Sequence, residues 1–470
     1  MTQEQSLDIL KLGHNVFLTG APGAGKTYVL NQYIDFLQSQ DIHAAITAYT
    51  GIAASHINGR TLHSWVGLHP GALRTLEQER DRVRHNKFLT ARIQQARVLI
   101  IDEISMLHPE EFDRVDFICK TARGSIEPFG GLQLICCGDF FQIPPVNQEE
   151  EKFVIDCAAW QNAHMETCYL HEQHRQGDAK LSNILQGIRK GKLDAKSLAL
   201  LKSRLNAKIN APIGVARLYT HNENVDEINN GELRKLTGKE IVYDVIESGE
   251  PKLVEKLKKD YRVDKFSLKK GARVMFTRNN RSMGYANGTL GEVSGFDEDG
   301  DPIITMFNGN KIVAGREEWE PEEDGKVKAS VRQIPLRLAW AITVHKSQGM
   351  TLDAAEIDLS RAFDRGMGYV ALSRVKKLEN ISLLGFNNIA LEVSERIKKL
   401  DEEFLEQSSE TEEQLRKLGV EKLARLQHDF LDLLKDERRS KAVGEFYYEP
   451  EVATIDFEGH AEINPDDLPF

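Results

Sequence analysis

The sequence predicts an α/β protein with two parallel-sheet domains, a small insertion in the first and a small antiparallel β-barrel insertion in the second. Three observations predict it. Short runs that are apolar on both faces alternate with helix-length stretches over residues 1–170. The same alternation resumes at "CYLHEQHRQ" and "ARLYTHN", and again from residue 334. Between them, residues 236–333 carry glycine-rich turns between short β-branched runs. At 470 residues the chain is also too long for one ordinary core.

Taken in order, the first-domain strands are "NVFLTG", "HAAITAYT", "RVLIIDE" and "LQLICCGD". Residues 67–95 interrupt them with "GLHPGAL" and a charged, helix-like run holding Arg74, Arg80, Arg82, Arg84 and Lys87. That stretch reads as an insertion between two strands. The second domain takes residues 171–235 and 334–395, with "AWAITVHKSQGMTLD", "AAEIDLS" and "ISLLGF" as its later elements. In the insertion, Asn-Gly and Asp-Gly pairs in "YANGTLGEVSGFDEDGDPIITM" mark hairpins. Residues 396–470 read as a helical C-terminal extension with an acidic tail, its apolar stripe at Leu423, Leu426, Phe430 and Leu433.

Composition narrows the class. Hydrophobic residues at 41% and charged residues at 28% fit a soluble globular protein. No apolar run reaches a membrane span of about 20 residues, and "MTQEQSLDIL" has no secretory pattern. A cytoplasmic or nucleoid-associated protein is expected. Five cysteines without a C-x-x-C pair read as buried thiols. The net charge of −11 argues against nucleic acid only until its distribution is considered. Residues 391–470 hold 11 basic and 22 acidic residues, leaving 50 of each in residues 1–390. The main body is neutral, so a basic channel fits within it.

"GAPGAGKT" spans Gly20, Ala21, Pro22, Gly23, Ala24, Gly25, Lys26 and Thr27 and fits G-x-x-x-x-G-K-[ST]. Glycines let backbone N–H groups close on phosphates, Lys26 reaches the β- and γ-phosphates of ATP, and the Thr27 hydroxyl ligates magnesium. "RVLIIDEIS" supplies the paired carboxylates such a loop needs. Asp102 holds magnesium through water, and Glu103 is the candidate base that orients an attacking water. In "GDFFQIPPV", Gln142 is a candidate sensor of the γ-phosphate. Arg175 in "LHEQHRQ" and Arg374 in "YVALSRV" are candidates to stabilise transition-state charge from the second domain; a surface ion pair is the ordinary fate of either.

Two polar segments suit a nucleic-acid strand. Thr50, Gly51, His63 and Ser64 follow the second strand, and Thr343, His345 and Lys346 lie in "TVHKSQGMTL". Hydroxyls, N–H groups and a few cations suffice to track phosphates. Trp65 either stacks on a base or packs in the core. At this level two classes stand: a nucleic-acid motor, and an ATP-controlled switch acting on a protein partner.

The ordered set "GAPGAGKT", "TGIAA…TLHSW", "IIDEISM", "GDFFQIPPV", "EQHRQ", "AITVHKSQGMTL" and "YVALSRVKKLENISLL" resembles the superfamily 1 DNA helicases, in the PIF (petite integration frequency) and RecD-like branch. The resemblance spans about residues 5–385, and "GDFFQIPPV" and "HKSQGMTL" are more specific than the P-loop. It implies two RecA-like domains with ATP between them and a wedge that matches residues 67–95. It further implies a Src-homology-three-like barrel at 236–333, 5′-to-3′ movement on single-stranded DNA and a monomer acting at single-strand/duplex junctions. It places an adenine-contacting glutamine at Gln5, with Gln3 as the alternative. RNA in place of DNA stays open.

Overall fold

The computed structural model describes residues 1–68, 74–142, 152–171, 178–209, 216–261, 263–278, 280, 283–285, 288–306, 309–319, 329–350, 352 and 354–435. They form two compact units. The chain up to residue 175 joins the chain from Glu395 onward in the first, and residues 176–394 form the second.

The first unit is built on six parallel strands: β1 (Val16–Gly20), β2 (Ala44–Ala48), β3 (Arg60–Thr61), β4 (Val98–Asp102), β5 (Gln133–Cys137) and β6 (Glu166–Leu170). Their spatial order is β3-β2-β4-β5-β1-β6. β1, β4 and β5 are buried at every position, which is why they read as unbroken apolar runs. The register aligns the strand ends. Gly20 lies opposite Leu170, Leu18 and Asp102 each lie opposite Cys137, and Ala48 lies opposite Asp102. Every loop that leaves a strand C-terminus therefore emerges along one edge, where α/β sheets bind ligands.

Helices cover the sheet: α1 (Gln3–Lys11), α2 (Lys26–Ser39), α3 (Gly51–His56), α4 (Leu62–Val66), α5 (Leu76–His85), α6 (Lys87–Gln95) and α7 (Pro109–Arg123). Gln133 ties three elements together beneath them. Its amide donates to the carbonyls of Leu10 and His14, and its oxygen accepts from the Tyr33 hydroxyl at 2.7 Å. Of the stretch 67–95, residues 69–73 lie outside the described residues and the rest is mainly α5 and α6. Thr75 and Gln78 cap α5 reciprocally, and Val83, Leu89 and Ile93 are buried. Arg82 is held by the buried Glu79 and by the Val66 carbonyl.

The C-terminal segment is no separate extension. Two helices, Glu395–Leu418 and Val420–Lys435, pack on the first unit. The first runs along the edge strand β6. Ser408 Oγ accepts from the Tyr169 N–H at 3.0 Å, satisfying a backbone group that the edge position leaves unpaired, and Thr411 donates to the Glu166 carboxylate at 2.8 Å. Phe404 packs against Phe17 and Phe140, with ring centroids at 5.0 and 5.9 Å. On the second helix, Phe430 fills the space over Gly13, where a Cβ would come within 2.3 Å of its ring. The apolar stripe implies that one helix face docks on something, but a linear pattern does not say on what. Phe404→Ala should cost about 3–5 kcal/mol of stability, read from chemical denaturation. A variant as stable as the parent would show that the helices are dispensable to the unit. The acidic tail lies outside the described residues.

The second unit holds a four-stranded parallel sheet in the order Ala341–Thr343, Ala216–Tyr219, Ala355–Leu359, Ile381–Phe386. Its insertion is antiparallel. A five-stranded sheet and the ladder of Ile241–Tyr243 with Phe266–Leu268 share one core, with Tyr243, Leu268, Phe276, Val293 and Ile304 buried. The hairpin in "FDEDGDP" turns at Gly300, φ 85°, while Asp297 accepts from the N–H groups of Asp299 and Asp301. Two features depart from expectation. Leu336–Leu338 pairs with Arg273–Phe276, so the insertion extends past residue 333. A helix, Pro251–Tyr261, packs on a second small core with Trp319 and Val331, amid a stretch whose turn-rich composition suggested strands alone. Among the described residues, no helix is long and apolar enough to cross a membrane.

Candidate functional site

The site of the first unit grows from four strand ends. β1 runs into the glycine loop, and α2 begins at Lys26 behind Gly25, which offers no side-chain cap. The first-turn N–H groups of α2 therefore have neither an intrahelical nor a side-chain acceptor, an arrangement suited to an anion. Gly25 holds φ +91°, a backbone that L side chains adopt only under strain. Gly20, φ +141°, would in addition bring a Cβ within 2.7 Å of the Leu170 carbonyl. The Lys26 ammonium is held over the loop by the carbonyls of Gly20 at 2.7 Å and Ala21 at 3.3 Å.

β4 ends on Asp102, and its carboxylate accepts from the Glu103 N–H at 2.9 Å. Burial, then the Glu103 charge, pushes the Asp102 carboxyl up to about 7; hydrogen bonds from Cys137 and Glu103 and the Lys26 charge oppose the rise. A buried carboxyl so poised gains from a cation, which is the chemistry of a magnesium ligand. Glu103 itself sits at φ 55°, ψ 44°, a left-handed backbone that a glutamate holds only under constraint from its surroundings. Beyond β5, Gln142 is buried and its Oε1 has no hydrogen-bond partner among the described residues. The Ser105 hydroxyl is in the same position. An unpaired buried amide end is costly and is relieved by a polar ligand. The glycine cradle, the poised carboxyl and the orphaned amide fit a nucleotide with its divalent cation.

Gln5 and Gln3, the expected adenine contact and its alternative, are engaged differently. Gln5 caps α1: its oxygen accepts from the Thr2 N–H at 2.8 Å, and its amide donates to Glu412 at 3.0 Å. Gln3 instead reaches the glycine loop, donating to the Ala24 carbonyl at 3.1 Å. Thr2-x-x-Gln5 forms a capping box.

The segment after β2 is also at this edge. The Thr50 hydroxyl accepts from the Ala53 N–H at 3.2 Å, and Gly51 opens α3. On α4, His63 bonds Glu111 at 3.0 Å and meets the Tyr49 ring edge-on. Neither Tyr49 nor Glu111 was singled out in the sequence. The Ser64 carbonyl accepts from Arg92. Trp65 is 2% exposed and belongs to the core, so it is removed as a stacking candidate.

In the second unit, Thr343 ends a strand and is 3% exposed; its hydroxyl accepts from the Lys346 N–H at 3.2 Å and caps the turn His345–Ser347. It is that burial which takes the Thr343 side chain away from a surface phosphate contact. Burial, then the nearby His221, pushes His345 down to about 4, so its ring is neutral at pH 7. The Arg374 guanidinium is bonded within its own unit, to the carbonyls of Val370 at 3.0 Å and Met350 at 3.4 Å and to Ser373 Oγ at 2.8 Å. Arg175 lies outside the described residues. All five thiols are buried in the first unit, and Cys137 donates to Asp102.

Comparison with known proteins follows this geometry. A model of the PIF1-like helicase family matches residues 4–198. The ATP-dependent DNA helicase Pif1 of Psychrobacter sp. (strain PRwf-1) is 43% identical, over 88% of this chain and 72% of that protein. The ATP-dependent DNA helicase PIF1 of Xenopus laevis is 38% identical, over 82% of this chain but only 62% of its own length. The crystal structure of Pif1 helicase from Candida albicans matches with a TM-score of 0.79 at 32% identity, covering 85% of this chain and 98% of that one. Pif1 helicase from Bacteroides, in complex with ADP-AlF3 and single-stranded DNA, matches with a TM-score of 0.70 at 29% identity, covering 87% and 97%.

Proposed function

This chain belongs to the PIF1-like helicase family, and from that premise we propose that it is an ATP-dependent DNA helicase that moves 5′ to 3′ on single-stranded DNA and unwinds duplex. One observation carries the proposal. Lys26 at the start of α2, the buried Asp102, the constrained Glu103, and Gln142, whose Oε1 has no partner among the described residues, lie at or beyond the C-terminal ends of the adjoining parallel strands β1, β4 and β5. Thr27 and Asp102 would hold magnesium, which supplies charge that polarises phosphate oxygens. Lys26 offsets phosphate charge, and Glu103 orients and deprotonates a water. Gln142 reports the terminal phosphate through its amide. Gln5, or Gln3 beside the glycine loop, takes the adenine edge, to which a carboxamide can both donate and accept. Arg374, from the second unit, stabilises transition-state charge once it exchanges its present partners. The chain acts as a monomer in this reading, although one related structure describes forked duplex unwound by two coordinating Pif1 helicases.

ATP turnover measured with and without single-stranded DNA tests the proposal. A motor is stimulated strongly by the strand. Turnover indifferent to DNA would favour a nucleotide switch acting on a protein partner, and stimulation by RNA alone would move the substrate to RNA.

The strand contacts proposed here are Thr50, Gly51, His63, Ser64, His345 and Lys346, mostly at phosphates. Their charge states make a further prediction. Lys346→Ala should lower the slope of log affinity against log salt by about 1, because one fewer phosphate is neutralised. His345→Ala should weaken binding without changing that slope, since the ring is neutral at pH 7. Binding titrations at several salt concentrations check both. A slope changed by His345→Ala would mean that the bound imidazole is charged.

A further inference from the structure

A cavity of about 280 Å³ opens at the N-terminal edge of the first unit's sheet, away from the loops that carry the nucleotide site. Arg97 and Leu132 on its lining immediately precede β4 and β5. The helix Val420–Lys435 closes one side with Phe430, Leu433 and Leu434.

Two guanidinium groups line this cavity. Arg97 donates through Nε to the Leu434 carbonyl at 3.2 Å and through Nη1 to the Gln94 carbonyl at 3.4 Å. Arg123 donates through Nε to the Gly130 carbonyl at 2.6 Å and through Nη1 to the Ala96 carbonyl at 2.9 Å. Carbonyls fix the two groups but do not neutralise them. Among the described residues, neither has a carboxylate within ion-pair distance, and the Nη2 of each has no partner. Glu127 also lines the cavity, but it is exposed and pairs with neither. Burial, then the Arg97 charge, pushes the Arg123 guanidinium down, so the two cations act on each other. Like charges held together at a partly buried place are relieved by an anion, and a guanidinium receives a carboxylate through two parallel hydrogen bonds.

The sequence that follows carries such anions. Residues 445–458, "EFYYEPEVATIDFE", hold five carboxylates, four aromatic rings and no cation. They begin 11 residues past Leu434. An extended chain advances about 3.3–3.6 Å per residue, so the link is long enough to return to the cavity. A tether this short makes the contact intramolecular, at an effective concentration of about millimolar. The carboxylates match Arg97 and Arg123, and the rings match Leu132, Phe430 and Leu433, which is 44% exposed.

We propose that the acidic, aromatic segment 445–458 docks in this cavity, with carboxylates on Arg97 and Arg123 and a ring against Leu132 and Leu433. Docked there, its charge is held at the sheet edge opposite the loops that track the strand. That consequence rests on the DNA-binding reading above, and the docking does not.

Hydrogen exchange of the full chain, followed by mass spectrometry, tests the docking. The parent is compared with Arg97→Glu and with a tail variant carrying Glu449→Lys and Glu451→Lys, whose substitutions leave every described residue unchanged. Thermal unfolding checks that Arg97→Glu folds; if it does not, the tail variant decides alone. Backbone amides of 445–458 should exchange about tenfold or more slowly in the parent than in either variant. Salt at about 0.5 M should erase most of that difference. Equally fast exchange of 445–458 in the parent and the tail variant overturns the docking, and so does slow exchange that survives Arg97→Glu. Protection around the cavity that appears only when inorganic phosphate is added also overturns it, and assigns the two arginines to a phosphate ligand.

Discussion

Lys26→Ala should lower ATP turnover by about a hundredfold to a thousandfold, the loss expected when one preorganised charge donor is removed from a phosphoryl site. Two effects act in the same direction. The ammonium already lies over the loop, held by the carbonyls of Gly20 and Ala21, so its charge is in place before nucleotide arrives. Lys26 also opposes the rise of the Asp102 carboxyl. Without it that carboxyl rises further, and less of the magnesium ligand is ionised at neutral pH. Binding of single-stranded DNA should stay within about tenfold, because phosphate contacts elsewhere supply most of that affinity. Steady-state turnover and strand binding of the purified variant decide it. Near-parental turnover would end the P-loop assignment.

Glu103→Gln should slow hydrolysis by about a hundredfold or more, the worth of a positioned general base. The amide keeps the shape and loses the basicity. The Glu103 charge is the second cause, after burial, of the raised Asp102 carboxyl. Removing it lets that carboxyl fall, so nucleotide binding with magnesium at pH 7 should hold or tighten while turnover collapses. Single-turnover hydrolysis set beside nucleotide binding separates the two steps. A variant that loses binding and turnover together would make Glu103 a ligand or a structural residue instead of the base.

The parallel sheet of the first unit was legible because its strands are buried on both faces. Val98–Ile101 and Gln133–Cys137 have little room for polar residues, and their carboxyl ends coincide with the motifs. The phosphate grip was legible because glycine spacing follows from backbone conformation at Gly20 and Gly25. Other features depend on packing that a linear pattern does not carry. Trp65 and Thr343 are polar or aromatic residues beside functional neighbours, yet one fills the core and the other caps a turn. The C-terminal helices meet β6 and α1 through contacts more than 230 residues apart in sequence, such as Tyr169 to Ser408 and Gln5 to Glu412.

The central claim is that ATP hydrolysis drives this chain along a single strand in one direction. ATP closure and reopening can shift grip along a strand, and the order in which the grips release sets the polarity. Unwinding of 5′-tailed, 3′-tailed and blunt duplexes, side by side with ATP and with Lys26→Ala as control, measures it most directly. The account predicts efficient unwinding of the 5′-tailed duplex alone, and none by the Lys26 variant. Efficient unwinding of the 3′-tailed duplex and not the 5′-tailed one would contradict the direction, and unwinding that persists without Lys26 would contradict the motor itself.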